Sequence, residues 1–262
     1  MNTDNIFLIG GEHKVCQDYA LSGITNDNTA YAIVSDGCSA SPDVDFGARI
    51  LSHAAKRKII FRANYPIFET NDIGKTSISD ASQIYGLFHN LHPQALDATL
   101  LIATVKDNIL NAYIYGDGVI VHRSGDDVYI THIHLTSGAP DYLSYHLSKS
   151  RMESYMNMKD NVKEVYTNNT IEPELYTPFT PFVIIDRPVK SGYTVSIISD
   201  GINSFRTSDY TSIDWTDMVD EFTKYKNFEG EFVTRRMAAF KRKCVTNSIS
   251  HYDDISVSSI IV

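Results

Sequence analysis

AYAIVSDGCSA, residues 30–40, is an apolar run that stops abruptly at Asp36 and Gly37. The design returns in NAYIYGDG (residues 111–118), which ends on Asp117 and Gly118, and in TVSIISDG (residues 194–201), which ends on Asp200 and Gly201. It appears reversed in HYDDISVSSIIV, where Asp253 and Asp254 precede the apolar run. Runs rich in Val, Ile and Tyr and bounded by Asp and Gly are strand signals. Four strands therefore carry a carboxylate at one tip. If those tips meet at one edge, the acids repel one another and are costly to dehydrate. A hard divalent cation with oxygen ligands removes that penalty.

Working outward, NIFLIG, DYALSG and TAYAIVS read as strands, with ITNDNT as the hairpin turn between the second and third. Antiparallel partners begin and end at opposite tips, so Asp18 and Asp36 fall at the same edge. VDFGARILSHAAKRKIIF predicts a helix with Asp43 or Asp45 as cap and an apolar stripe of Phe46, Ile50, Ala54 and Ile59 to Phe61. NYPIFETNDIGKTS predicts a loop; its Gly74-Lys75-Thr76 is no phosphate loop, because Glu69 stands where that motif needs glycine. A second helix is expected in SISDASQIYGLFHNL on Ile84, Leu87, Phe88 and Leu91.

ATLLIATV, ILNAYIY, VIVHRS and VYITHIHL then predict a meander that alternates ends. Asp97 and Asp117 go to the edge with the other acids, whereas Asp107, Asp126 and Asp127 go to the opposite edge as turn residues. Residues 137–190 read as an irregular insertion or lid. The strand GYTVSIIS and helices in WTDMVDEFTKYK and EFVTRRMAAFKRKCVTN complete the chain.

The 262 residues, 43% hydrophobic, suffice for a full core, and a single domain over residues 1–262 is expected. A formal charge of -9, without a basic block, argues against nucleic-acid or anionic-membrane partners. Three widely spaced cysteines, Cys16, Cys38 and Cys244, make no disulfide framework and no CxxC zinc or redox pair. With no leader pattern and no run of about 18 apolar residues, a cytoplasmic protein is expected, acting as a monomer.

The ordered set QD, SDGC, DAT, GDG, SDG and DD resembles the metal-dependent (PPM-type) serine/threonine phosphatases of the protein phosphatase 2C family, in their compact bacterial style, from Gly10 to Val262. The resemblance implies an α+β fold, a four-layer α-β-β-α sandwich with two central antiparallel sheets. It implies two Mg²⁺ or Mn²⁺ ions, with a looser third. Asp36 matches the bridging carboxylate, and Gly37 lends a backbone carbonyl. Asp200 and Asp253 match further ligands, Asp117 the ligand of the third ion, and Asp18 the outer acid pair. Asp254 takes an orienting role. The implied reaction is attack of a metal-activated water on a phosphorylated protein substrate.

Three positions depart from relatives: Gln17 replaces a Glu ligand, His13 a phosphate-gripping Arg, and Cys38 a His proposed as general acid. His13 is the candidate to hydrogen-bond phosphate, without the bidentate fork of Arg. For each strand-tip aspartate the alternative is an ordinary turn residue, and for His13 a purely structural one. Two further functions stay open: a pseudophosphatase that binds without turnover, and a phosphatase of small phosphorylated metabolites.

Overall fold

The computed structural model describes residues 1–64, 72–158, 162–168, 170–173 and 177–262. Strand β1 (Asn2–Leu8) is followed by the hairpin of β2 (Tyr19–Ile24) and β3 (Ala30–Ser35), then by helices α1 (Val44–Asn64) and α2 (Ile73–Tyr85). Next come β4 (Leu100–Lys106), β5 (Ile109–Tyr115), β6 (Gly118–Ser124) and β7 (Asp127–Leu135). A 3₁₀ turn at Leu143–Leu147 leads into α3 (Lys149–Met156), β8 (Lys163–Thr167), β9 (Thr170–Pro173) and β10 (Phe182–Pro188). The chain ends with β11 (Thr194–Ile198), β12 (Phe205–Arg206), α4 (Trp215–Thr223), α5 (Phe232–Asn247), β13 (Ser250–His251) and β14 (Ile255–Ile261).

The strands form two large antiparallel sheets, ordered β1-β14-β11-β6-β7-β8-β9 and β10-β5-β4-β3-β2. Their facing sides bury Val34, Leu101, Ala103 and Ile114 against Ile120, Ile133, Ile197 and Ile260. Outside the five-stranded sheet, Ile33, Leu100 and Ile102 pack on Leu51, Ala55 and Ile78 of α1 and α2. Outside the seven-stranded sheet, Val121 and Val257 pack on Phe222 and Phe240 of α4 and α5. The expected α-β-β-α sandwich is therefore present. β4 shows why its sequence is apolar throughout: Leu101, Ala103 and Val105 enter the inter-sheet core while Leu100 and Ile102 face the helices. Among the described residues, no helix is long and apolar enough to cross a membrane.

Four sequence expectations change. In α1 Ala54 and Ile59 of the expected stripe are buried, together with Val44, Ala48, Leu51 and Ala55, while Phe46, Ile60 and Phe61 are exposed. The alanines let the helix lie close to the sheet, so its large aromatic residues project outward. α2 begins earlier than expected, at Ile73, because Asp72 caps it by accepting from the N–H groups of Gly74 and Lys75. The Tyr115 hydroxyl donates to Asp72 Oδ1 at 2.7 Å, tying the cap to β5. The helix stops at Tyr85, leaving Leu87 and Phe88 exposed. The rest of the expected loop, residues 65–71, lies outside the described residues.

The third change is that β5 and β6 belong to different sheets, so Gly116 to Gly118 is a crossing between sheets and not a hairpin turn. The fourth concerns residues 137–190, which hold α3 and three strands: β8 and β9 extend one sheet, and β10 edges the other.

Candidate active site

β2 and β3 pair in the register Tyr19 opposite Ser35, so Asp18, just before one strand, lies beside Asp36, just after the other. In the second sheet β11 and β14 pair with Ile198 opposite Val257, bringing Asp200 and the Asp253-Asp254 pair to the same end. Asp117 sits on the crossing between sheets, flanked by Gly116 at φ 92° and Gly118 at φ 136°, backbone that favours glycine. Gly201 is required for a different reason: a Cβ there would stand 1.8 Å from the carbonyl oxygen of Asp254. Only glycine lets the two tips approach so closely.

Ser199 joins the sheets at this edge. Its Oγ donates to Asp18 Oδ2 at 2.7 Å and accepts from the Ser256 N–H at 2.9 Å. Thr99 fixes the Asp36 backbone: its Oγ1 accepts from the Asp36 N–H at 3.1 Å, and its N–H donates to the Asp36 carbonyl at 2.8 Å. Thr99, just before β4, thus positions the residue at the tip of β3.

Asp18, Asp36 and Asp200 lie within hydrogen-bonding reach in that order, Asp36 in the middle. Asp18 Oδ1 and Asp200 Oδ1 are buried without a hydrogen-bond partner. Burial, with the charge of Asp200 adding to it, pushes Asp18 up to about 7. Asp36 is raised well above the carboxylate range by burial and then by Asp18 and Asp200. Asp117 is raised by burial and Asp200. Asp253 is pushed up to about 6 by burial and Asp200, with His13 acting in the opposite direction. Asp18, Asp36, Asp117 and Asp253 therefore strain against their own ionisation beside Asp200. They border a cavity of about 660 Å³, whose walls include Asp36, Gly37, Cys38, Asp117, Asp200 and Asp253.

Asp254, 1% exposed, is the organiser of the entry loop. Its Oδ1 accepts from the Gly10 N–H at 2.7 Å and its Oδ2 from the Gln17 N–H at 2.5 Å. His13 Nδ1 lies 2.8 Å from the same Oδ2, close enough for an ion pair though off the hydrogen-bonding direction, and Nε2 is 3.6 Å from Asp253 Oδ1. Burial lowers the pKa of His13, but Asp254, Asp253 and Asp18 together raise it above its ordinary value. His13 is not among the cavity-lining residues; it faces the carboxylates behind them.

Asp97 lies at the expected edge, beside the tip of β3, but its carboxylate turns away from the other acids. It is 2% exposed, and its carboxylate accepts from Arg151, Ser41 and Ser144 at 2.6, 3.0 and 2.6 Å. Its carbonyl accepts from the Cys38 N–H at 2.8 Å. It braces the loop after Asp36 and tethers α3, and does not join the acid cluster. Cavity-lining residues that sequence reasoning missed are Tyr142, His132, His134, Tyr166 and Trp215. Only the alternation in VYITHIHL, which sets both histidines on one face of β7, signals any of them.

Hard oxygen donors with unpartnered buried oxygens suit Mg²⁺ or Mn²⁺ in chemistry. In arrangement, no group of three or more His, Cys, Asp or Glu side chains among the described residues forms a ready metal-binding set. The carboxylates instead lean on one another. Their chemistry meets the requirement for ligand type.

The same sandwich occurs in solved phosphatase structures. The chain is 12% identical to a bacterial serine phosphatase, with a TM-score of 0.59, covering 100% of this chain and 98% of the other. The serine/threonine phosphatase of S. agalactiae gives 16% identity and a TM-score of 0.55, with coverage of 100% and 99%. The PP2C phosphatase domain with a regulatory fragment of the cell fate determinant SpoIIE from Bacillus subtilis gives 13% and 0.57. There the match covers 99% of this chain but 62% of that one. At these identities the likeness is one of fold. The family follows from sequence: the model of protein phosphatase 2C matches residues 11–240, and the chain belongs to that family. No curated protein matches it in sequence.

Proposed function

We propose that the protein is a Mg²⁺- or Mn²⁺-dependent phosphatase of phosphoserine and phosphothreonine in proteins, acting as a cytoplasmic monomer. The observation that carries this reading is the contact of Asp18, Asp36 and Asp200 at the edge where the two sheets meet, with carboxylate oxygens left unpartnered. A scaffold gains nothing from burying like charges together. Asp18, Asp36, Asp117, Asp200 and Asp253 would hold the ions, with the Gly37 carbonyl. Bound there, they supply a nucleophilic water at neutral pH and neutralise charge on the phosphoryl oxygens.

The chain's own residues have supporting parts. Ser199 orients Asp18, Thr99 fixes Asp36, and Asp254 holds the loop from Gly10 to Gln17 against the site. Cys38 and Tyr142 wall the cavity beside Asp36. His13, carried by that loop, acts on Asp253 and Asp254, and gripping phosphate would require it to turn toward the cavity. That placement is the observation favouring the second reading, a pseudophosphatase lacking a phosphate grip.

Hydrolysis of a phosphothreonine peptide by the purified protein, with Mn²⁺, with Mg²⁺ and with a chelator, tests the proposal. Turnover is expected only with metal and is expected to fall at least a hundredfold in Asp200→Ala. Turnover in chelator, or undiminished turnover in the variant, would remove the metal assignment. Metal binding without turnover of any phosphopeptide or phosphate ester would favour the pseudophosphatase.

A further inference from the structure

The cavity extends beyond the carboxylates. Another part of its wall is built by His132 and His134 of β7, Tyr166 of β8 and Trp215 at the start of α4. Alternation along β7 sends Ile133 into the inter-sheet core and both histidines to the other face. His132 stands opposite Tyr166 in the β7-β8 ladder. Its ring centroid is 4.5 Å from Trp215, 5.7 Å from Tyr166 and 6.2 Å from His134.

Core packing does not account for His132. The residue is 4% exposed, and neither ring nitrogen has a hydrogen-bond partner. A buried neutral imidazole so placed leaves one donor and one acceptor unpaired, at a cost that an apolar residue of similar size would avoid. Trp215, Tyr166 and His134 keep part of their surfaces accessible. No Lys or Arg lines the cavity among the described residues, so nothing on this wall favours further phosphates or an acidic flanking sequence.

We propose that this wall is a subsite for an aromatic side chain of a phosphopeptide substrate, flanking the phosphorylated residue. The ring packs against Trp215, and one ring nitrogen of His132 pairs with the adjoining peptide N–H or C=O. The inference rests on the protein-phosphatase reading of the carboxylate site and names its substrate preference.

The test compares phosphothreonine peptides carrying phenylalanine at each flanking position in turn with an all-alanine peptide. At one position phenylalanine is expected to raise kcat/KM about tenfold, an ordinary yield for one seated ring. In Trp215→Leu and His132→Ala the ratio is expected to fall toward one. Because Trp215 is the only tryptophan, its emission in the wild-type protein reads the same subsite without turnover. The unphosphorylated phenylalanine peptide should shift that emission saturably, and the alanine peptide should not. Equal kcat/KM for all peptides, or an emission unmoved by the phenylalanine peptide, overturns the subsite. Saturable emission change without hydrolysis of any peptide would keep the subsite and sink the phosphatase reading instead.

Discussion

Asp254 shows how much one carboxylate can organise. Two backbone N–H groups, from Gly10 and Gln17, end on its buried oxygens, and His13 pairs with it. Asp254→Ala strands both donors, each costing about 1–3 kcal/mol. Denaturant unfolding should show a loss of that order, and an unchanged midpoint would mean that water replaces the carboxylate. The orienting role expected of Asp254 came from the family resemblance, and the two N–H groups that it holds are visible only in the fold. The sequence put Asp97 at the right edge but could not show that Arg151, fifty-four residues further on, draws that carboxylate away. His13 was legible as a candidate from its loop position, but not the pair of acids that it meets there.

At the scale of elements, strand existence was legible and helix faces were less so. Apolar runs closed by Asp-Gly mark β3, β5 and β11, whereas the stripe read in α1 is divided: Ala54 and Ile59 are buried and Phe46, Ile60 and Phe61 face solvent. Leu51→Ala should therefore cost about 2–5 kcal/mol, and Phe46→Ala less than about 0.5 kcal/mol, in urea unfolding. A reversed order would restore the stripe read from sequence. The polar start of α2 was invisible because its cap is completed by Tyr115, a residue of another element. On β7, burial pushes His132 down to about 4, followed by the effect of neighbouring His134. The unfolded chain binds that proton near pH 6.5 and the folded chain does not, so this residue's contribution is complete above about 6.5 and lost as pH falls toward 4. His132→Phe should flatten the decline of melting temperature between those values relative to wild type. An unaltered slope would show His132 to be freely protonated in the fold.

For the whole molecule, two sheets with separate hydrogen-bond ladders bring their acidic tips together because Ser199 ties Asp18 to Ser256 and Gly201 admits the Asp254 backbone. The acid edge was legible because four strands each carry a carboxylate at one tip, and the sandwich was legible from the resemblance of the ordered motifs to protein phosphatase 2C. The sheet crossing at Asp117 was not, since Gly-Asp-Gly reads equally as a hairpin. The aromatic wall was also hidden, because β7, β8 and α4 are far apart in sequence and meet only in the fold.

The central claim, that these buried acids are kept together for a divalent cation, is tested most directly by thermal unfolding with a chelator and with Mn²⁺, in wild type and in Asp18→Asn and Asp36→Asn. Without metal, replacing one of the mutually repelling acids should raise the melting temperature. Mn²⁺ should raise that of the wild type and do so far less in either variant. A wild type indifferent to Mn²⁺, with variants no more stable in chelator, would contradict the claim.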